Sequence, residues 1–155
     1  SCPIWIANNP ELFGASEKLM NKIARRVATI ADGWQTTFVT PEQFSRAWQR
    51  IEQQASEIDR DVSDFPKCLY YNCHVNEDRD IAFAESKEYL DAYYTTDFSR
   101  EQLEVWVAMG SPEQCIAAIN RHVEAGANVI TIRFSARNQT EQLRRFVKDV
   151  YPAFR

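Results

Sequence analysis

Three residues able to bind a metal or act as nucleophiles lie close together in the sequence: Cys68, Cys73 and His74. The segment that holds them, residues 67–75, is β-rich and reads as a strand. Successive side chains of a strand point to opposite faces. Cys68 and His74 therefore share one face, and Cys73 takes the other. Zinc wants a tetrahedral ligand set, and no second pair supports this one. The segment reads as buried thiols with a histidine near the C-terminal end of a strand, where it can line a pocket. No metal site is expected. His122, on a segment with Ile119 and Val123, reads as a surface residue. The sequence offers no Ser-His-Asp order, no paired-carboxylate geometry and no activated-cysteine signature, so no residue is assigned a catalytic role. The four glycines, Gly14, Gly33, Gly110 and Gly126, cannot build a phosphate-cradling loop.

Composition removes further classes. The chain has 155 residues, 45% hydrophobic and 12% aromatic, enough for a core and too much for a disordered chain. No uncharged apolar run approaches the roughly 20 residues of a bilayer span, so no membrane is expected. Eighteen basic and 22 acidic residues give a net charge of -4, a poor match for nucleic acid. The start, Ser1-Cys2-Pro3-Ile4-Trp5, lacks a basic n-region and a long h-region and is not read as a signal peptide. Four scattered cysteines do not make a disulfide scaffold, so reduced thiols and a cytoplasmic location are expected.

The elements that must position these residues follow from periodicity. Residues 3–7 read as a strand, stopped by a turn at Asn8-Asn9-Pro10. A helix over about 16–30 places Leu19, Ile23, Val27 and Ile30 on one face. A weak strand covers 33–38. Thr40-Pro41-Glu42-Gln43 is a strong helix start, with a cap, a proline at the first position and a capping-box glutamine. Its helix turns Phe44, Ala47, Trp48, Ile51, Ala55 and Ile58 inward. After the strand at 67–75, residues 76–109 change to helical spacing and read as a helical insertion of one or two helices. Ser111-Pro112-Glu113-Gln114 repeats the earlier helix start, burying Ile116, Ile119 and Val123, with Gly126 as C-cap. Residues 127–134 form a fourth strand, continuous enough in Val129-Ile130-Thr131-Ile132 to be buried on both sides. A last helix starts at Thr140, with Leu143, Phe146, Val147 and Val150 inward. Trp34, Trp48 and Trp106 read as core anchors, and Asp32 as a turn residue. Strand and helix thus alternate four times, which predicts an α/β fold with a parallel sheet. Residues 1–155 read as a single domain, with 76–109 an insertion within it. Four βα units are half a barrel or a small open sheet, and spacing alone leaves both open.

Several stretches resemble the bacterial luciferase-like monooxygenases, flavin- or deazaflavin-dependent (β/α)8 barrels of the TIM type. Pro3-Ile4-Trp5-Ile6-Ala7-Asn8-Asn9 is similar to that family's fifth strand and following loop. Ala28-Thr29-Ile30-Ala31-Asp32-Gly33-Trp34, then Thr40-Pro41-Glu42, resembles its next turn and helix. Gly110-Ser111-Pro112-Glu113-Gln114, Ala125-Gly126-Ala127-Asn128 and Ile130-Thr131-Ile132-Arg133-Phe134 resemble its last two βα units. Tyr151-Pro152-Ala153-Phe154-Arg155 is similar to its closing helix end. Family members are about twice as long, so the resemblance implies the C-terminal half of a barrel, strands five to eight. The implied cofactor is FMN or coenzyme F420, and the implied substrate a small organic molecule.

The resemblance puts Asn8 and Asn9 at the C-terminal end of a barrel strand, the face that carries barrel active sites. There they are candidates for contacting a cofactor phosphate or ribityl chain; the alternative is a plain turn. Many members have glycine or serine at these positions. Arg133 and Arg137 flank the end of the last strand, near a common phosphate location; the alternative is a salt bridge to a carboxylate. Half a barrel leaves two open sheet edges, and open edges seek a partner. The expectation is a homodimer, or pairing with a missing N-terminal half. The rival is a non-enzymatic half-barrel module that self-associates and binds no flavin.

Overall fold

The computed structural model describes residues 2–9 and 14–155; Pro10, in the expected turn, lies outside them. The chain divides into two compact units. Residues 1–70 and 122–131 form the first, and 71–121 and 132–155 the second.

In the first unit, β1 (Trp5–Ala7) pairs in parallel with β2 (Gly33–Thr37). β2 pairs in parallel with the start of β3 (Lys67–Val75), from Trp34 opposite Lys67 to Thr37 opposite Tyr70. Two helices connect these strands. α1 (Glu17–Ile30) starts where Ser16 accepts from the Leu19 N–H. Arg60 donates to the Ala28 and Ala31 carbonyls at 2.8 and 2.6 Å, placing a cation on the last turn of α1, where the helix dipole favours one. α2 (Pro41–Ser56) carries the expected capping box, with Thr40 and Gln43 exchanging bonds. It buries Phe44, Trp48, Ile51 and Ala55. The Trp34 ring sits against Phe44 and Trp48, with centroids 4.9 and 6.1 Å away.

The expected helix faces need correction. α1 buries Ala24, Val27 and Ala28 rather than its larger apolar residues, and Leu19 and Ile30 are exposed. Ile58 is also exposed, because α2 ends before it. Leu143, Val147 and Val123, expected inward, are all exposed as well. Helical spacing fixes which residues share a face; burial also needs an element to cover that face.

In the second unit, the end of β3 pairs in parallel with a short strand, β4 (Val107–Gly110). Residues 76–109 contain two helices, α3 (Arg79–Tyr94) and α4 (Arg100–Trp106), and also most of β4. That strand was not expected. The Lys87 ammonium ties α3 to the following loop through Asp91, Asp97 and the Phe98 carbonyl. α5 (Pro112–Glu124) opens with Ser111 and Gln114 exchanging the same two bonds as Thr40 and Gln43. Gly110, just before it, has φ +114°, and a Cβ there would meet Gln114 Oε1 at 2.0 Å. Only glycine fits that approach.

β5 (Val129–Phe134) runs from the first unit into the second and pairs with β3. Its residues are half-buried or exposed rather than buried on both sides. α6 (Gln139–Arg145) is capped by Asn138 and runs on as wider and then tighter helical turns to Phe154. All three expected tryptophan anchors are buried. His122 is buried too, not at the surface: Nε2 lies 3.1 Å from the Val39 carbonyl. Among the described residues no helix is long and apolar enough to cross a membrane.

Candidate functional site

Asn8 and Asn9 leave β1 at its C-terminal end, in the first unit. The Asn8 N–H donates to the Gln35 carbonyl at 3.0 Å, extending the ladder by one residue. Its side-chain carbonyl accepts the Trp34 indole N–H at 3.2 Å. Asn9 accepts from the Thr36 hydroxyl at 3.2 Å and the Thr37 N–H at 3.1 Å. β2 therefore holds both carboxamides by their oxygens. One group is left over: Asn8 Nδ2 is buried with no hydrogen-bond partner. Asn8 also lines a cavity of about 10 Å³ with Met20, Ile23 and Arg50, the size of a single water.

Arg133 and Arg137 belong to the second unit, so the four expected cofactor residues divide two and two. The Arg133 guanidinium lies 3.9 Å from the Tyr93 ring centroid. It donates to the Tyr94 and Tyr89 hydroxyls at 3.0 and 3.3 Å. α3 thus supplies an aromatic bed that fixes this cation. Arg137 pairs with Glu88, also of α3. Both partners are exposed, so the pair contributes little to stability and its guanidinium can be redirected.

Arg137 opens onto a cleft of about 310 Å³, lined also by Asn76, Glu85, Glu88, Glu141 and Arg145. It forms where β3 ends and α6 begins. Gln142 locks that junction by accepting the Val75 N–H at 2.7 Å and donating to the Val75 carbonyl at 3.1 Å. Arg145 reaches the same carbonyl and pairs with Glu141 at 3.3 Å.

Beneath the cleft His74 is fully buried. Burial holds its imidazolium below the ordinary histidine range, against the opposing pull of the Ser135 carbonyl and Glu85. Nδ1 lies 3.1 Å from the Ser135 carbonyl and 3.2 Å from Ser86 Oγ, and Nε2 lies 3.0 Å from Glu85 Oε2. The position of His74 at a strand end signalled a pocket; Glu85, Ser86, Ser135 and Arg145 carried no signal of their own. A bond to Cys115 and burial push the Cys73 thiol well up, and both residues are buried. Among the described residues no cluster of histidine, cysteine or carboxylate could hold a metal.

Comparison with known proteins supplies the context for these geometries. The family described as luciferase-like monooxygenase matches residues 8–128. No curated protein sequence matches the chain. Among solved structures, a coenzyme F420-dependent tetrahydromethanopterin reductase from Methanopyrus kandleri superposes with a TM-score of 0.75 at 15% identity, covering 99% of this chain and 51% of that one. An F420-dependent secondary alcohol dehydrogenase gives 0.78 at 17% identity, covering 100% of this chain and 49% of that one. A monooxygenase from Streptomyces bottropensis gives 0.70 at 17% identity, covering 99% and 48%. The chain thus spans about half the length of the solved structures it matches. The fold is α/β, with parallel βα units amounting to about half of a TIM-type barrel.

Proposed function

Because the chain belongs to the luciferase-like monooxygenase family, we propose that it is the C-terminal part of a flavin- or deazaflavin-dependent oxidoreductase, contributing strands five to eight of the barrel. One observation carries the reading: the chain is covered almost end to end by structures of which it covers only half.

The residues present fit a flavin-type cofactor. The buried Asn8 amide nitrogen has hydrogens to donate and no protein acceptor, so it can donate to a water of the adjoining cavity or to a phosphate or ribityl oxygen brought to the loop. The exposed Arg137 offers a cation that can exchange Glu88 for a phosphate. Bound FMN or coenzyme F420 would supply the electron or hydride transfer to a small organic substrate. Trp34, Thr36 and Thr37 orient the asparagine loop, and the tyrosines of α3 hold Arg133 in place. Three enclosed, unbridged cysteines support a reducing, cytoplasmic setting.

Completion of the barrel is part of the proposal. Ile4, just before β1, and Trp5, its first residue, are exposed at 60% and 40% of their surface. A second copy of the chain or an N-terminal half covers this edge. The same exposure favours one second reading, a half-barrel module that self-associates and carries no flavin. Fluorescence titration of the purified chain with FMN and with F420 separates them. Saturable binding of either, weakened by Asn8→Ala, supports the oxidoreductase. A dimer that binds neither supports the module.

A further inference from the structure

The first unit carries two exposed groups of charge that find no counter-ion within it. On α1 these are Lys18, Lys22, Arg25 and Arg26, all exposed. Among the described residues none of them forms an ion pair, and the one acid of the helix, Glu17, is held by Arg50 at 2.7 Å. The opposite group lies at the end of α2 and in the segment that follows it. Glu52, Glu57, Asp59, Asp61 and Asp64 are all exposed there, and among the described residues no cation pairs with any of them. The last turn of α2 holds no basic residue. Carboxylates gathered at the negative end of a helix destabilise the isolated unit, and a cation from outside it relieves them.

The two groups adjoin. Arg60, in the middle of the acidic stretch, donates to the Ala28 and Ala31 carbonyls at the end of α1. Asp32 continues the junction to the start of β1, since its N–H donates to the Ile4 carbonyl and its carboxylate accepts the Ile4 N–H. Three exposed isoleucines, Ile4, Ile30 and Ile58, surround this junction. Leu19 extends the apolar surface along α1, where it lines an open groove of about 510 Å³ with Lys22 and Arg26. The order across the surface is basic, apolar, acidic. Such a surface is self-complementary. A twofold axis through its apolar centre lays the basic side of each copy on the acidic side of the other and covers the isoleucines of both. Other occupants match it less well. An anionic lipid surface attracts α1 but repels the carboxylates beside it. An acidic peptide covers α1 and leaves the carboxylates without a cation.

We propose that the first unit pairs with the first unit of a second copy through this surface, the cations of α1 on one copy meeting the carboxylates around the end of α2 on the other, and reciprocally. The pairing rests on the self-association proposed above and gives it a surface. It uses none of the residues proposed to touch the cofactor, so it stands or falls separately from the oxidoreductase reading.

The test is sedimentation equilibrium of the chain without cofactor, in low and in high sodium chloride. A dimer is expected in low salt, weakened about tenfold or more when the salt rises from roughly 0.05 to 0.5 M. Lys22→Glu with Arg26→Glu should weaken it about a hundredfold, because like charges then face each other, and so should Glu57→Lys with Asp64→Lys. All four side chains are exposed, so far-UV circular dichroism of the variants should match the native chain. Glu57→Lys also places a cation at the end of α2, so that variant should lose the dimer without losing stability. The two double variants mixed together should recover the dimer, since each supplies the charge that the other now needs. A dimer indifferent to salt and to both variants overturns this surface and leaves self-association standing. Variants that stay monomeric when mixed also overturn it. A native chain that is monomeric in low salt overturns the surface and the self-association together, and binding of that monomer to phosphatidylserine vesicles would assign α1 to a lipid surface instead.

Discussion

Replacing Trp34 with phenylalanine tests the link between the first-unit core and the asparagine loop. Trp34 is fully buried on β2, against Phe44 and Trp48, and its indole N–H donates to Asn8. Phenylalanine preserves an aromatic ring but removes that donor and three ring atoms. Two of those atoms are carbons, and at about 0.8 kcal/mol each they come to roughly 1.6 kcal/mol. The third is the donor nitrogen, and its lost hydrogen bond adds about 1 kcal/mol. A total of roughly 2.6 kcal/mol should lower the melting temperature by about 8 °C in a chain of this size. Urea unfolding followed by far-UV circular dichroism measures the loss directly. A double-mutant cycle with Asn8→Ala then isolates the bond, with an expected coupling of about 1 kcal/mol. Coupling indistinguishable from zero would show that Trp34 does not anchor Asn8, and the account of how the loop is positioned would fail.

Other perturbations probe other parts of the molecule. Trp48→Ala removes a buried ring that packs on Trp34 and Phe65 and lies beneath the Lys67 ammonium; it should cost about 3 to 5 kcal/mol in urea unfolding, whereas Thr40→Ala should cost about 1 kcal/mol through the lost cap. Gly110→Ala puts a Cβ on the Gln114 side-chain oxygen at positive φ and should cost more than about 1 kcal/mol, with the thermal midpoint as readout. His74 binds its proton less readily in the folded chain than in the unfolded one. Its contribution to stability is therefore present above the unfolded histidine value of about 6.5 and is lost as the pH falls below it. Unfolding midpoints compared across that range should fall for the native chain, and the His74 part of the fall should vanish in His74→Gln.

Much of the fold is legible because its signals are local. β3 spans Lys67–Val75, the range that its alternation predicts. Thr40, Gln43, Ser111 and Gln114 make the expected caps, since a capping box needs only four neighbouring residues. β4 is not legible. Trp106-Val107-Ala108-Met109 continues a helical pattern, and its four-residue strand forms only because the end of β3 offers it a partner. His122 looks like a surface residue in its own helix; its burial depends on a carbonyl 83 positions away. The apolar residues that end up exposed, Leu19, Ile30, Leu143 and Val147, mark the limit of periodicity as a guide to burial.

The candidate sites divide along the same line. Asn8 and Asn9 could be singled out because they end a strand, and the structure shows which of their atoms are already committed. Arg133 and Arg137 could be singled out for the same reason. Their actual partners, the tyrosines and Glu88 of α3, lie across the insertion and leave no mark in the sequence around β5. Likewise, the Glu85–His74–Ser86–Ser135 network joins β3, α3 and the segment after β5. No spacing rule brings those residues together.

Sedimentation velocity of the purified chain at micromolar concentration, with FMN or F420 present and followed at the cofactor's own absorbance, tests the central proposal most directly. The account predicts that cofactor travels with a self-paired dimer and that the monomer travels without it. Cofactor carried by the monomer, or a dimer that carries none, would contradict it.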